Sequence, residues 1–349
     1  MIRYNNRQQA VLKFLQEQKT ASRAAIERHI ALLFPDKNSR VTILRDLDLL
    51  CRDGKITKTG RARDTVYTCA GLGILDEVDV EAYFSVDPDN RILKNEYFNL
   101  GIWSSLKGLL TEQEKQELGV LNQQFRDNKK ALSPTALQKE LERLTIEFSW
   151  KSSKIEGNTY TLLDTERLIK EHIEAKGKKK EEALMILNHK KALDYIYQRP
   201  AFWKKLTLAK TEDIHRLLVT GLEVPFGIRK SRVGITGTSY RPLDNQFQIK
   251  ETLEELIRLI NDTQDPVAKA LLAVLGISYI QPFEDGNKRT GRILGNALLL
   301  ACDYCPLSYR SVDEVEYKKG AILFYEQNSV FYFKKLFIEQ FIQAARKYF

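Results

Sequence analysis

From about Leu100 onward, apolar residues recur at helical spacing almost without a break. The pattern predicts helices over residues 111–127, 133–154, 162–175, 180–198, 208–220 and 249–263. A central pair follows at 267–280 and 293–302, apolar on nearly every side as buried helices are, and two more helices run to Phe349. The sequence from Val233 to Pro242 breaks the pattern. There β-branched residues alternate with glycines after Phe226-Gly227-Ile228-Arg229, and a hairpin is predicted. The fold class read from this is mostly α.

The first 75 residues are ordered differently. Residues 8–18 carry Val11, Leu12, Phe14 and Leu15 on one stripe, and Thr20 to Ser22 can cap a helix through Ile30. After Pro35, Ser39 caps a third helix, read with Val41, Leu44, Leu47 and Leu50 inward and Arg40, Thr42 and Arg45 outward. Residues 55–58 and 65–68 then alternate as short strands around Thr59-Gly60-Arg61-Ala62-Arg63, a hairpin with a basic tip. The order is similar to a winged helix-turn-helix, with the Ser39 helix as the reader and Arg61 and Arg63 on the wing. Residues 76–99 are acidic and contain Pro88, so they read as a connector, although 78–84 could form a short element. The expected division is therefore 1–75, 76–99 and 100–349.

Charge sharpens this division. The chain of 349 residues has a net charge of +9, and residues 1–75 hold 14 basic against 7 acidic residues, most of the excess. Such asymmetry points to an anionic partner, duplex DNA being the commonest, with Arg40, Arg45, Lys58, Arg61 and Arg63 as the contacts. Domains of this type also mediate dimerisation, so a homodimer stays open. Nothing at Met1-Ile2-Arg3-Tyr4 reads as a signal peptide and no apolar run is long enough to cross a bilayer. The expectation is a soluble cytoplasmic protein with reduced thiols and no membrane partner. Cys302-Asp303-Tyr304-Cys305 has a metal or redox spacing but no second pair, and is read as chance.

The stretch Tyr279-Ile280-Gln281-Pro282-Phe283-Glu284-Asp285-Gly286-Asn287-Lys288-Arg289-Thr290-Gly291-Arg292 joins the two central helices. A helix start already favours an anion, and Lys288, Arg289 and Arg292 crowd cations onto it. A phosphate fits there, and Asp285 could hold the Mg²⁺ that accompanies a nucleotide. These residues resemble the motif of the Fic family, His-x-Phe-x-Asp/Glu-Gly-Asn-Gly/Lys-Arg-x-x-Arg. Phe283, Asp285, Gly286, Asn287, Arg289 and Arg292 match it place for place.

The resemblance runs from about residue 100 to the C-terminus. It implies a helical Fic-type domain that binds ATP with Mg²⁺ and transfers AMP to a hydroxyl side chain of a target protein. It further implies phosphate contacts from Gly286, Asn287, Lys288, Arg289 and Arg292. Ser152, Glu156 and Gly157, at the end of a helical segment over 133–157, match the family's inhibitory helix, which implies that Glu156 pairs with Arg292. The hairpin resembles the family's flap, implying that Val233, Ile235, Thr236 and Thr238 hold the target segment, and Tyr317 falls where the adenine pocket often lies.

Gln281 stands where the family's catalytic His belongs, and a carboxamide does not titrate in the useful range. Losing a general base costs on the order of 10²–10⁴ in rate. The chain is then a relative with weak or no transfer, one deliberately altered at position 281, or one that takes a base from elsewhere, the remaining candidates being His172, His189 and His215. Lys288 is usual in the related Doc phosphotransferases, which lack the second Arg and the inhibitory helix. The readings carried forward are an autoinhibited adenylyltransferase impaired by Gln281, a Doc-like phosphotransferase, and a nucleotide-sensing DNA-binding regulator.

Overall fold

The computed structural model describes residues 4–18, 20–35, 39–60, 64–69 and 73–349. It divides into two units, Met1–Asp76 and Glu77–Phe349. In the first, α1 (Asn6–Gln18), β1 (Thr20–Ser22), α2 (Arg23–Leu33) and α3 (Arg40–Arg52) precede β2 (Ile56–Thr59) and β3 (Val66–Cys69). The antiparallel sheet has the order β1-β3-β2, with Ala21 opposite Tyr67 and Thr57 opposite Thr68. Val11, Leu15, Ile26, Ile30, Leu47 and Ile56 form its core.

Two expectations are corrected here. Residues 20–22 do more than cap: Ser22 accepts from Ala25 N, but the three residues also form the third strand. On α3, Val41 is 59% exposed while Ile43, Asp46, Leu47 and Leu50 are buried. The spacing of three used to read the inward face drifts off a helix that turns every 3.6 residues. A second cause is polar: Asp46 accepts from Arg7 Nε at 2.5 Å and Gln8 Nε2 at 2.8 Å, which fixes it against α1. Arg40, Arg45 and Lys58 are exposed as expected, whereas Arg61 and Arg63 lie outside the described residues.

The second unit is helical. The short α4 (Val80–Phe84) and α5 (Ile102–Ser105) lead into α6 (Glu112–Ala131), α7 (Pro134–Ile155), α8 (Leu162–Glu171), α9 (Lys180–Gln198) and α10 (Leu208–Val219). Then come α11 (Gln246–Asp262), α12 (Pro266–Ile280), α13 (Asn287–Ala301), α14 (Glu314–Gln327) and α15 (Phe331–Lys347). Local chemistry sets these bounds. Thr111 and Glu114 make a reciprocal capping box, Ser133 caps α7 ahead of Pro134, and Asn245 starts α11 three residues before the predicted 249. His172 takes a left-handed conformation (φ 60°) and ends α8 at Glu171, four residues short of the predicted 175.

The centre is the α12–α13 pair, each buried along nearly its whole length. Their close approach depends on Gly291, where an added Cβ would sit 3.1 Å from Val274 O and 3.2 Å from Ala273 O.

Residues 77–99, expected as a connector, belong to the second unit and are tied down on it. Tyr83 Oη donates to Glu326 Oε2 at 2.6 Å, Lys94 N to Glu326 O at 2.9 Å, and Asn95 and Asn99 to Asn328 Oδ1 at 2.7 and 2.9 Å. Arg91 lies 3.6 Å from the fully buried Glu326 and donates to Gly237 O at 3.1 Å.

The predicted hairpin is also corrected. Residues 230–240 are irregular apart from a turn at Thr236-Gly237 and form no ladder, and at Arg241 there is only an isolated parallel bridge to Tyr97. The segment is held by side chains instead. The buried Arg229 guanidinium donates to Ser231 O at 2.7 Å and to Leu243 O, closing the loop at its base, and to Gln281 O at 2.6 Å. No described helix is long and apolar enough to cross a membrane.

Because only backbone faces the added methyl, Gly291→Ala should lower unfolding stability by about 1–3 kcal/mol, the usual cost of overpacking. Urea denaturation monitored on the second unit checks this; an unchanged midpoint would mean that the helix pair shifts freely.

Candidate active site

The turn between α12 and α13 is built by its own side chains. Gln281 caps α12 in a left-handed conformation (φ 52°), and Gly286 opens α13 with φ 82°, where a side chain would be strained. Asn287 closes the loop between them: Oδ1 accepts from Phe283 N at 2.8 Å, and Nδ2 donates to Phe283 O at 2.8 Å and Gln281 Oε1 at 2.9 Å. Below it, His215 stacks on Phe283 with ring centres 3.8 Å apart, and its Nε2 donates to Asp285 O at 3.0 Å. Burial pushes His215 down to about 4, so it is neutral and serves as a prop.

Gln281 is itself engaged. Its Nε2 donates to Ser278 O at 2.6 Å while Oε1 accepts from Asn287, so the carboxamide ties the end of α12 to the start of α13.

A cleft of about 360 Å³ opens over this turn. Gln281, Asp285, Gly286, Asn287, Lys288 and Arg289 line one side and Val233, Ile235 and Thr236 another; Ile155 and Glu156 from the end of α7 and Tyr317, Ala321, Ile322 and Tyr325 from α14 also border it. Thr238 does not reach the cleft, because its Oγ1 accepts from Tyr240 N at 3.1 Å. Gly286 supplies no side-chain cap to α13, whose first turn begins at the cleft wall.

Arg289 is 2% exposed; its Nη2 meets Asp285 Oδ2 at 2.6 Å and its Nη1 has no partner. A buried guanidinium nitrogen left unsatisfied is costly, and an anion in the cleft is what would satisfy it. Asp285 is mostly exposed and is the carboxylate beside that position, while no group of three or more metal-binding side chains occurs among the described residues. One carboxylate completed by phosphate oxygens suits Mg²⁺, which keeps several non-protein ligands. The residues therefore fit the ion.

Arg292 is brought to the same turn but does not line the cleft. It is fully buried and faces α7: Nε donates to Ser152 Oγ at 2.9 Å, Nη2 to Ser152 O at 3.0 Å and to Glu156 Oε1 at 2.7 Å. Glu156 is the C-cap of α7, and Gly157 (φ 96°) makes the left-handed stop behind it. Its other oxygen, Oε2, lies 3.9 Å from Lys288 Nζ. Burial alone would raise the Glu156 carboxyl, but Arg292 and then Lys288 outweigh it and hold it below the usual range. Tyr317 packs under Arg292 with its ring 5.5 Å away, in a buried aromatic cluster with Tyr309 and Phe333.

Residues 205–299, spanning α10 to α13 with the loop and the turn, match the Fic/DOC family. The chain carries a Fic/DOC family domain. The Fic domain is distantly related to curated proteins named protein adenylyltransferase Fic: 28% identity over 176 residues with that of Drosophila willistoni and 28% over 193 residues with that of Nematostella vectensis. These matches cover 50% and 52% of this chain but only 35% and 43% of the relatives, so the chain spans well under half of their length. Among solved structures, Fic-1 of C. elegans (residues 134–508) aligns with a TM-score of 0.57, 18% identity, and 68% and 70% of the two chains covered. A Fic domain containing signaling protein from Bacteroides thetaiotaomicron aligns with a TM-score of 0.53, 20% identity, and 68% and 98% covered. The fold is thus mostly helical and Fic-like, accompanied by a small three-stranded antiparallel sheet.

Arg229 was not singled out from the sequence, and His189 and His215 entered only as candidate bases; all three are buried polar props, and no local pattern separates such a prop from a surface residue.

The pair at Arg292 should register in stability. Glu156→Gln removes a charge from a guanidinium that stays buried, and should cost about 1–3 kcal/mol at pH 7. Since the folded carboxyl titrates below its unfolded value, that difference is present above the usual carboxylate range and lost as pH falls through the lowered value. Denaturation of both proteins between pH 7 and 3 checks the sign; a gap that widens on acidification would refute the pair.

Proposed function

We propose that the Fic domain is a protein adenylyltransferase in type, using ATP with Mg²⁺ to place AMP on a hydroxyl side chain of a target protein. The observation that carries this reading is the cleft wall at the start of α13, where Arg289 keeps a buried nitrogen without a partner beside Lys288 and Asp285. In this reading the Gly286 and Asn287 backbone, Lys288 and Arg289 hold phosphate oxygens, with Arg292 joining once released, and Asp285 holds Mg²⁺. Bound Mg²⁺ neutralises charge developing on the phosphates. Val233, Ile235 and Thr236 take an extended target segment along the cleft.

Glu156 limits the reaction by competing for Arg292, and Gln281 limits it again by offering no titratable group. The bonds of Gln281 to Ser278 and Asn287 favour a second reading, in which the site senses nucleotide without transferring it. Lys288 keeps the Doc-like phosphotransferase as the third.

Incubating Gln281→His with Glu156→Gly and labelled ATP decides among them. Label from the α position on protein is expected, and Arg292→Ala should remove it. Label from the γ position would replace AMP transfer by phosphotransfer, and no label with intact nucleotide binding would leave the sensor.

For the first unit we propose a winged helix-turn-helix that binds duplex DNA through Arg40, Arg45 and Lys58 on exposed positions, with Arg61 and Arg63 on the wing. Each phosphate contact removed by substitution should reduce the slope of log affinity against log salt by about 0.9. Titration of duplex DNA with the full chain and with Arg45→Ala measures it. Salt-independent or absent binding would turn this unit to protein partners.

A further inference from the structure

We infer that His189, on α9, is a positioning residue that keeps Arg292 turned toward α7, a regulation of the same site that rests on Glu156 acting as the competitor for Arg292. His189 is fully buried and does not line the cleft. Its Nδ1 lies 2.8 Å from Met185 O and 3.3 Å from Ser153 Oγ, and its Nε2 lies 2.8 Å from Ser152 Oγ. Its ring meets Phe148 edge-on, with centres 5.8 Å apart.

These contacts admit one arrangement of protons. A carbonyl only accepts, so Nδ1 carries the proton toward Met185 O and Nε2 of the neutral ring is an acceptor. A guanidinium only donates, so Ser152 Oγ receives Arg292 Nε and must send its own proton elsewhere. His189 Nε2 takes it. Hydrogen bonds thus run in one direction from Arg292 through Ser152 and His189 to Met185 O. The charged groups around the ring keep it neutral: burial, Arg289 and Arg292 push it down to about 3 against the opposite pull of Glu156.

Without that acceptor, a serine inside a helix turns its proton to the carbonyl four residues earlier, which here is Phe148. Arg292 Nε would then lose its partner on α7, leaving the two Nη2 bonds to Ser152 O and Glu156 and a long Nη1 contact to Tyr317 Oη at 3.5 Å. The guanidinium becomes easier to draw into the cleft. His189 therefore sets how firmly the clamp holds, although it touches no part of the cleft itself.

Calorimetry of ATP with Mg²⁺ on the full chain tests this without requiring turnover. His189→Phe should tighten binding about three- to tenfold, the effect of one net hydrogen bond. His189→Gln, which keeps an acceptor toward Ser152, should return affinity to near that of the parent, and in a Glu156→Gly background His189→Phe should change little. If Glu156→Gly tightens binding and His189→Phe does not, His189 only fills the core and the proposal falls alone. If Glu156→Gly has no effect, the inhibitory reading falls and takes the proposal with it. Should His189→Phe fail to fold, the imidazole nitrogens of the parent decide by NMR. A proton fixed on Nδ1 from pH 5 to 8 is expected, and a proton on Nε2 overturns the chain of bonds.

Discussion

A guanidinium with no exposed surface must find its partners inside the protein, and Arg292 finds most of them at the end of a helix whose C-cap lies 136 residues earlier in the chain. That requirement orders much of the second unit. α7 must finish beside α13, so that the Ser152 carbonyl, the Ser152 hydroxyl and the Glu156 carboxylate meet one side chain. Tyr317 must lie flat enough beneath to face the cation. The same side chain does not line the cleft that two neighbouring cations of its own helix, Lys288 and Arg289, border. Lys288 and Arg289 line the wall, whereas Arg292 spends its donors on Ser152 and Glu156 of the neighbouring helix.

The central turn shows why such a site can be small. Two helices buried along their length leave no room for a long connection, so Asn287 replaces backbone hydrogen bonds with its amide and Gly286 takes the left-handed corner. Gln281 fits this economy because a carboxamide both donates and accepts, and here it joins the two helix ends. A neutral imidazole at that place also has one donor and one acceptor, but in a rigid ring. The residue that departs from the family's motif is therefore a competent structural member of the turn, whatever it does to chemistry.

How much of this was legible depended on the range of the interaction. Helices 180–198 and 208–220 were read to within a residue because caps and apolar spacing are local signals, and the cations at the start of α13 stood out because a helix start is an unusual place to crowd them. The inward face of α3 was not legible. It is set by Asp46 reaching Arg7 and Gln8 on another helix. The loop over the cleft has the residue types of a hairpin, yet what shapes it is the single buried Arg229, whose partners lie at Ser231, Leu243 and Gln281. Long-range polar bonds of this kind leave no periodic trace.

Residues 77–99 also bear on how the protein is taken apart. Composition marks 100 as the natural place to cut, since the stretch 76–99 just before it is acidic and contains Pro88. A fragment starting there would strip Arg91 from Glu326, a carboxylate with no exposed surface, and would remove both amides that converge on Asn328. An uncompensated buried charge costs about 3–5 kcal/mol, a large part of what holds a domain together. It would also free the loop over the cleft at Gly237. A piece meant to represent the helical unit faithfully must begin at Glu77.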